Sequence, residues 1–174
     1  MSFLDPYIAA YGAWALFVIV YLESFGAPLP GESALIASSL LALRGTLHIE
    51  AVLLAVFVGA VLGDCTGYAI GHFGGRRLLT RYGYLVKLTP ERLETFEKQF
   101  DAKGIYLVAT ARFVVLLRQL NGIIAGSMRM NFWHFLAANT IGAAGWTLVW
   151  GLGPYLVSGA LAPYAAHLKA LWPF

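Results

Sequence analysis

Charge is scarce in this chain. Asp, Glu, Lys and Arg make up only 12% of its 174 residues, against 59% hydrophobic. A soluble domain of that length has too much surface for its volume to hide so many apolar side chains. The ordinary soluble classes are therefore excluded, and residues 1–174 read as a single membrane domain. Cysteine is nearly absent as well. The lone Cys65 excludes an internal disulfide, and its apolar neighbours suit a small buried side chain better than a reactive thiol. His48, His72, His134 and His167 are scattered without ligand spacing, so neither a metal site nor a cofactor is expected. Ser38, Ser39 and Ser127 have no His and Asp partners at recognisable triad positions. The stretch Gly71-His-Phe-Gly-Gly75 lacks a P-loop lysine. No enzymatic activity is expected on these grounds. Residues 1–7 lack the positive n-region of a cleavable signal, so the first apolar run is expected to persist as a membrane segment.

The net charge of +3 is concentrated in one place. Between Arg76 and Lys103 the bases Arg76, Arg77, Arg81, Lys87, Arg92, Lys98 and Lys103 outnumber the acids Glu91, Glu94, Glu97 and Asp101. A basic connection between apolar segments reads as a cytoplasmic loop able to touch anionic headgroups, not as a nucleic-acid surface. Within it, Thr89-Pro90 resembles a helix start, and Leu93, Phe96 and Phe100 give that helix an apolar face. An interfacial helix is expected over this cytoplasmic amphipathic connection, about 76–103.

The apolar runs predict an all-α helical bundle of about four spanning helices plus two re-entrant hairpins. Residues 8–22 form the first helix. Pro28 and Pro30 then interrupt, because proline lacks a backbone donor and clashes with the preceding turn. Residues 33–43 are apolar but fall short of the ~20 needed to span, which suits a half-membrane return. Residues 51–73 predict a second spanning helix, with Gly59, Gly63, Gly67 and Gly71 along one face for close helix packing, within the bundle or in a homo-oligomer. Residues 104–127 predict a second hairpin. A turn between or just after Arg112 and Arg118 would bring both to one cavity, and Asn121-Gly122 supplies a turn signal. Residues 132–153 predict a third spanning helix and 154–172 a shorter fourth. This arrangement puts 76–103, Arg129 and Lys169 on the cytoplasmic side and Arg44 outside, and it makes the two hairpins face each other as an inverted repeat.

Ionised side chains inside these runs are the candidate site. A charge near the bilayer centre costs at least ~2.5 kcal/mol on insertion scales, so such residues face a polar cavity and carry function by default. The acids are Glu23, Glu32 and Asp64, and the bases are Arg112 and Arg118. Asn139 lies inside the third spanning helix and reads as a helix–helix hydrogen-bonding residue. Buried ion pairs that merely hold the hairpins together would produce the same pattern.

Taken in order, Glu23, Pro28-Leu-Pro-Gly-Glu32, Gly63-Asp64 with Tyr68 and Gly71, Arg112-Phe113 with Arg118, and Ala125-Gly126 through Met130, Phe135, Asn139, Gly142 and Trp146 resemble the DedA family of bacterial membrane proteins. That family belongs to the wider VTT/SNARE-associated Golgi-protein group. One position departs: the family proline three residues after the first arginine is Val115 here. The resemblance implies a multi-pass protein of the bacterial inner membrane with two facing hairpins. It also implies transport of undecaprenyl phosphate or a phospholipid between leaflets, and a link to the proton motive force.

Chemistry agrees with that implication. A lipid phosphate cannot cross hydrocarbon with its charge unpaired, and arginine offers a planar fork for phosphate oxygens. Arg112 and Arg118 are the expected phosphate ligands. Glu23, Glu32 and Asp64 are the expected proton-handling or gating groups, with Asn139 in support. The same acid–base core also fits a proton- or ion-coupled antiporter for a small solute. An intramembrane phosphatase would need a histidine nucleophile, which the neighbourhood of Arg112 and Arg118 lacks.

Overall fold

Apolar backbone in a membrane must satisfy its own hydrogen bonds, which selects helices, and every element among the described residues is helical. The structure, a computed structural model, describes residues 5–75, 98, 103–158 and 160. Helix α1 is Asp5–Glu23, α2 is Gly31–Leu43 and α3 is Ile49–Ile70. Residues 103–111 form α4, Val115–Ser127 form α5 and Phe132–Thr147 form α6. Helix α3 continues through a π turn at Gly71–Gly75, and α6 through another at Leu148–Leu152 into helical residues 153–158.

The resulting unbroken stretches Ile49–Gly75 and Phe132–Ser158 are each 27 residues, or roughly 40 Å at 1.5 Å per residue, enough to cross a ~30 Å hydrocarbon core. The boundary expected at residues 153 and 154 is therefore absent. Pro154 falls just after the π turn, where the wider ladder tolerates its missing donor. The rest of the expected fourth helix lies outside the described residues. So does the connection 76–103 with its Thr89 cap, apart from Lys98 and Lys103.

Between α1 and α2 the chain breaks at residues 24–30, where the prolines required it. Gly26 adopts φ 109°, a left-handed turn conformation that favours glycine. Helix α2 ends in a Schellman motif: Thr46 N–H reaches the Leu41 carbonyl while Gly45, at φ 78°, turns the chain out.

Helix α3 is the central post. Its glycine face is used within this chain. A Cβ at Gly59 or Gly63 would strike the α1 backbone at Phe17 or Tyr21, and one at Gly71 would strike Ile123 of α5. Helix α1 thus lies against the first half of α3 and α5 against the second. Helix α6 runs antiparallel to α3, with Asn139 beside Val61 and Phe135 stacked on Tyr68.

Two apolar clusters follow. One gathers Val20, Leu35, Val52, Val56, Ala60 and Trp146, and the other Tyr68, Val108, Ala125, Phe135 and Ala138. Along α3 the level between them is Asp64; along α6 it is Asn139. The outer face carries exposed Trp14, Leu54, Leu62, Ile70, Ile141 and Val149, the surface that hydrocarbon covers.

Candidate functional site

The charged residues collect where the two apolar clusters abut, and they divide into two groups. Arg112 ends α4 and opens the turn to α5. Its guanidinium pairs with Asp64 of α3 and donates to Asn139 Oδ1 of α6 at 2.8 Å. Asn139 Nδ2 in turn donates to the Val61 carbonyl at 3.2 Å. Three helices are tied at one level, and the side chains of Arg112 and Asp64 are each about 1% exposed. Arg112 Nε and Asp64 Oδ1 are buried without a hydrogen-bond partner.

Arg118 sits one turn into α5. Its Nη2 meets Glu23 at the end of α1 at 2.8 Å, and its Nη1 meets Glu32 at the start of α2 at 3.1 Å. The break between α1 and α2 thus sets two carboxylates on the two arms of one fork. A Cβ on Gly31 would meet the Glu23 carboxylate where it now lies, so a larger residue there would push that carboxylate aside. Trp146 of α6 lies under the guanidinium, its ring centroid 4.9 Å away, within cation–π range. Arg118 and Glu23 are buried, but the Glu32 side chain keeps 33% of its exposure. In this second group one carboxylate reaches the surface; in the first both charged side chains are buried.

All six candidate residues are therefore in contact networks, but Arg112 and Arg118 do not share one. The turn is where they part company. Phe113 N–H bonds the Thr110 carbonyl and Val114 N–H the Ala111 carbonyl, so the chain reverses at Arg112–Val114. The turn signal at Asn121-Gly122 is overturned, since both residues lie inside α5. Gly122 is there for packing: a Cβ would collide with the Asp64 carbonyl oxygen of α3. Asn121 donates to the Val108 carbonyl at 3.1 Å and pins α5 to α4. Val115, the departure from the family proline, is the first residue of α5. Proline suits that position because its missing N–H has no helical partner there, so valine keeps the turn.

Sequence reasoning did not assign Trp146 to the site. Its signal was available: Asn139, Gly142, Ala143 and Trp146 recur at helical spacing and are all buried.

The VTT domain model matches residues 29–155, most of the chain and all of these candidates except Glu23. An uncharacterized membrane protein of Synechocystis is 40% identical over 139 residues, 80% of this chain and 64% of its own length. Membrane protein YbfM of Bacillus subtilis, also uncharacterized, is 30% identical over 86% of this chain and 92% of its own length. Protein DedA of Escherichia coli K12 is 29% identical over 97% of this chain and 80% of its own length. The chain thus spans somewhat under two thirds of the Synechocystis relative. No solved structure gives a significant match.

Proposed function

The chain belongs to the DedA/VTT family of membrane proteins, and from that premise we propose that it carries a phosphate-bearing lipid between leaflets. The lipid is undecaprenyl phosphate or a phospholipid, and the membrane is the bacterial inner membrane, which the chain crosses several times. In this reading α1 spans the membrane, and the return of α2 after the break at 24–30 faces the hairpin of α4 with α5 as an inverted repeat. The protein acts as a carrier, with no covalent step.

One observation carries the reading: a buried arginine fork held by two carboxylates, one of them still open to the outside. Glu32 is the displaceable partner. A headgroup phosphate arriving from the exposed side takes its place on Nη1, while Glu23 keeps Arg118 aimed. With Glu23 on Nη2 and the phosphate on Nη1, the planar fork holds both anions at once. Burial and a neighbouring arginine push a carboxylate's proton affinity in opposite directions. Protonation of either glutamate would weaken its hold on Arg118, and this is how a proton gradient would drive exchange. Arg112, by contrast, serves as a structural tie.

The test is leaflet exchange of labelled undecaprenyl phosphate in proteoliposomes, with and without a pH gradient, beside labelled phosphatidylethanolamine. Exchange of the polyprenyl lipid alone, lost in a folded Arg118→Ala variant, identifies a selective carrier. Exchange of both lipids identifies a broad scramblase. Exchange of neither sinks the lipid reading and turns attention to a small-solute antiporter.

A further inference from the structure

A second site lies about two turns beyond Asp64, where α3 ends against the turn joining α5 to α6. A cavity of about 450 Å³ there is lined by Tyr68, His72, Phe73, Arg129, Met130 and Phe132, among others. We propose that it docks the phosphate headgroup of an anionic lipid at the membrane edge, as a loading station separate from the Arg118 group. The choice of a lipid as ligand rests on the carrier reading above.

Charge comes first. Arg129 is the one arginine of the lining, and no Asp or Glu among the described residues joins it. Its guanidinium has no ion-pair or hydrogen-bond partner among the described residues. His72 adds a second nitrogen-bearing ring, stacked on Tyr68 with centroids 5.7 Å apart.

The backbone at Arg129 closes α5 as Gly45 closes α2, with Arg129 N–H on the Gly126 carbonyl and Met130 N–H on the Ala125 carbonyl. Arg129 stands at φ 54°, the only non-glycine at positive φ among the described residues. Glycine or asparagine would occupy that conformation at lower cost. The left-handed conformation is that of the residue just past the C-cap of α5, and among the described residues the guanidinium it turns out of the helix has no partner.

The rest of the lining excludes a free ion as the natural occupant. Tyr68, Phe73, Met130 and Phe132 give it an apolar wall, and Phe73 is 84% exposed. His72 follows Asp64 by eight residues, roughly 12 Å along a helix axis. The cavity therefore lies near the end of the span Ile49–Gly75, at the depth where headgroups meet acyl chains. One cation over an apolar wall fits a phosphate with a chain attached. The volume, within the ~300–1,000 Å³ of ordinary ligand sites, holds a headgroup and the first carbons.

The full chain, reconstituted in nanodiscs containing phosphatidylglycerol and phosphatidylcholine, would be released for native mass spectrometry and its retained lipid counted. Phosphatidylglycerol should be retained over phosphatidylcholine. Arg129→Asn, a residue suited to that backbone, should cut the preference at least fivefold with an unchanged melting temperature. Phe73→Ser, on a ring that is largely exposed, should cut it severalfold. A wild-type chain with this preference but no leaflet exchange would remove the carrier reading and leave the site standing. Equal retention of the two lipids, a preference unchanged in both Arg129→Asn and Phe73→Ser, or displacement by millimolar inorganic phosphate as effective as by added phosphatidylglycerol would each overturn the proposal.

Discussion

Arg112 and Arg118 stand six residues apart, and each meets a carboxylate from the first half of the chain, but their surroundings make them different devices. Arg112 is enclosed by α3, α4 and α6, pairs with Asp64, and is held further by an asparagine that is itself bonded to backbone. Arg118 bridges two carboxylates at a helix break, rests on an indole, and has a partner open to the outside. An enclosed pair whose partners all come from packed helices has the character of a tie. Two carboxylates on one fork, one of them partly exposed, are the arrangement that the proposed exchange of partners requires. A charge in a membrane helix is thus not by itself a functional group; what decides is whether its partner can leave.

Breaking the enclosed tie should have the largest effect. Asp64→Asn leaves a buried guanidinium without its counter-charge, a loss of about 3–5 kcal/mol. Thermal unfolding in detergent should show a sharply lower melting temperature and poor recovery. The pair Asp64→Leu with Arg112→Met removes both charges together and should restore much of that loss. If the double variant folds yet exchanges no lipid, Arg112 takes part in transport and the contrast with Arg118 collapses.

Second in size is the contact that sets α5 against α3. A Cβ at Gly126 would collide with the Tyr68 carbonyl oxygen, and a collision with backbone cannot be relieved by a rotamer change. Gly126→Ala should cost about 1–3 kcal/mol as an overpacked contact. Because α5 carries Arg118 on the same rigid element, exchange should fall along with the melting temperature. A melting temperature unchanged by this substitution would mean that the two helices do not meet this closely.

Arg118→Lys should separate stability from transport. The charge stays, so the two glutamates keep a partner, and the melting temperature should fall less than in Asp64→Asn, which strands a buried charge. The fork is lost, and with it the ability to hold a carboxylate and a phosphate together. Lipid exchange should drop at least tenfold. Exchange at the wild-type rate would show that only a point charge is needed and that displacement of Glu32 from one arm is the wrong mechanism.

The sequence made the broad plan legible because apolar run length and proline are strong local signals. The break before Gly31, the long helix through Asp64 and the glycine face of α3 needed nothing else. The turn after α4 did not yield to the same logic. Asn121-Gly122 carries the residues of a turn, but glycine answers equally to a neighbouring helix backbone, and only tertiary packing separates the two uses. The division of the charges into two groups was hidden for a related reason. Hydropathy registers each buried charge but not its partner, and partners such as Asn139 and Trp146 come from a helix far away in the chain. Arg129 was passed over because it falls in a turn, where a base is ordinary; its left-handed backbone is invisible to composition.

The smallest effect on stability, and the sharpest on mechanism, belongs to Glu32. Its side chain is one third exposed, and such a pair contributes on the order of 1 kcal/mol or less after screening. Glu32→Gln should therefore leave the melting temperature nearly where it was, while Glu23, on the buried arm of the same fork, continues to hold Arg118. If Glu32 is the group that yields to phosphate, its neutralisation empties Nη1 in advance. Lipid should then bind more tightly, exchange should lose its dependence on a pH gradient, and the rate without a gradient should rise severalfold. If instead Glu32 is only an acid placed favourably at the helix start, where it complements the positive end of α2, both rates and their ratio should be those of the wild type. The two roles predict the same stability, so only the gradient dependence tells them apart.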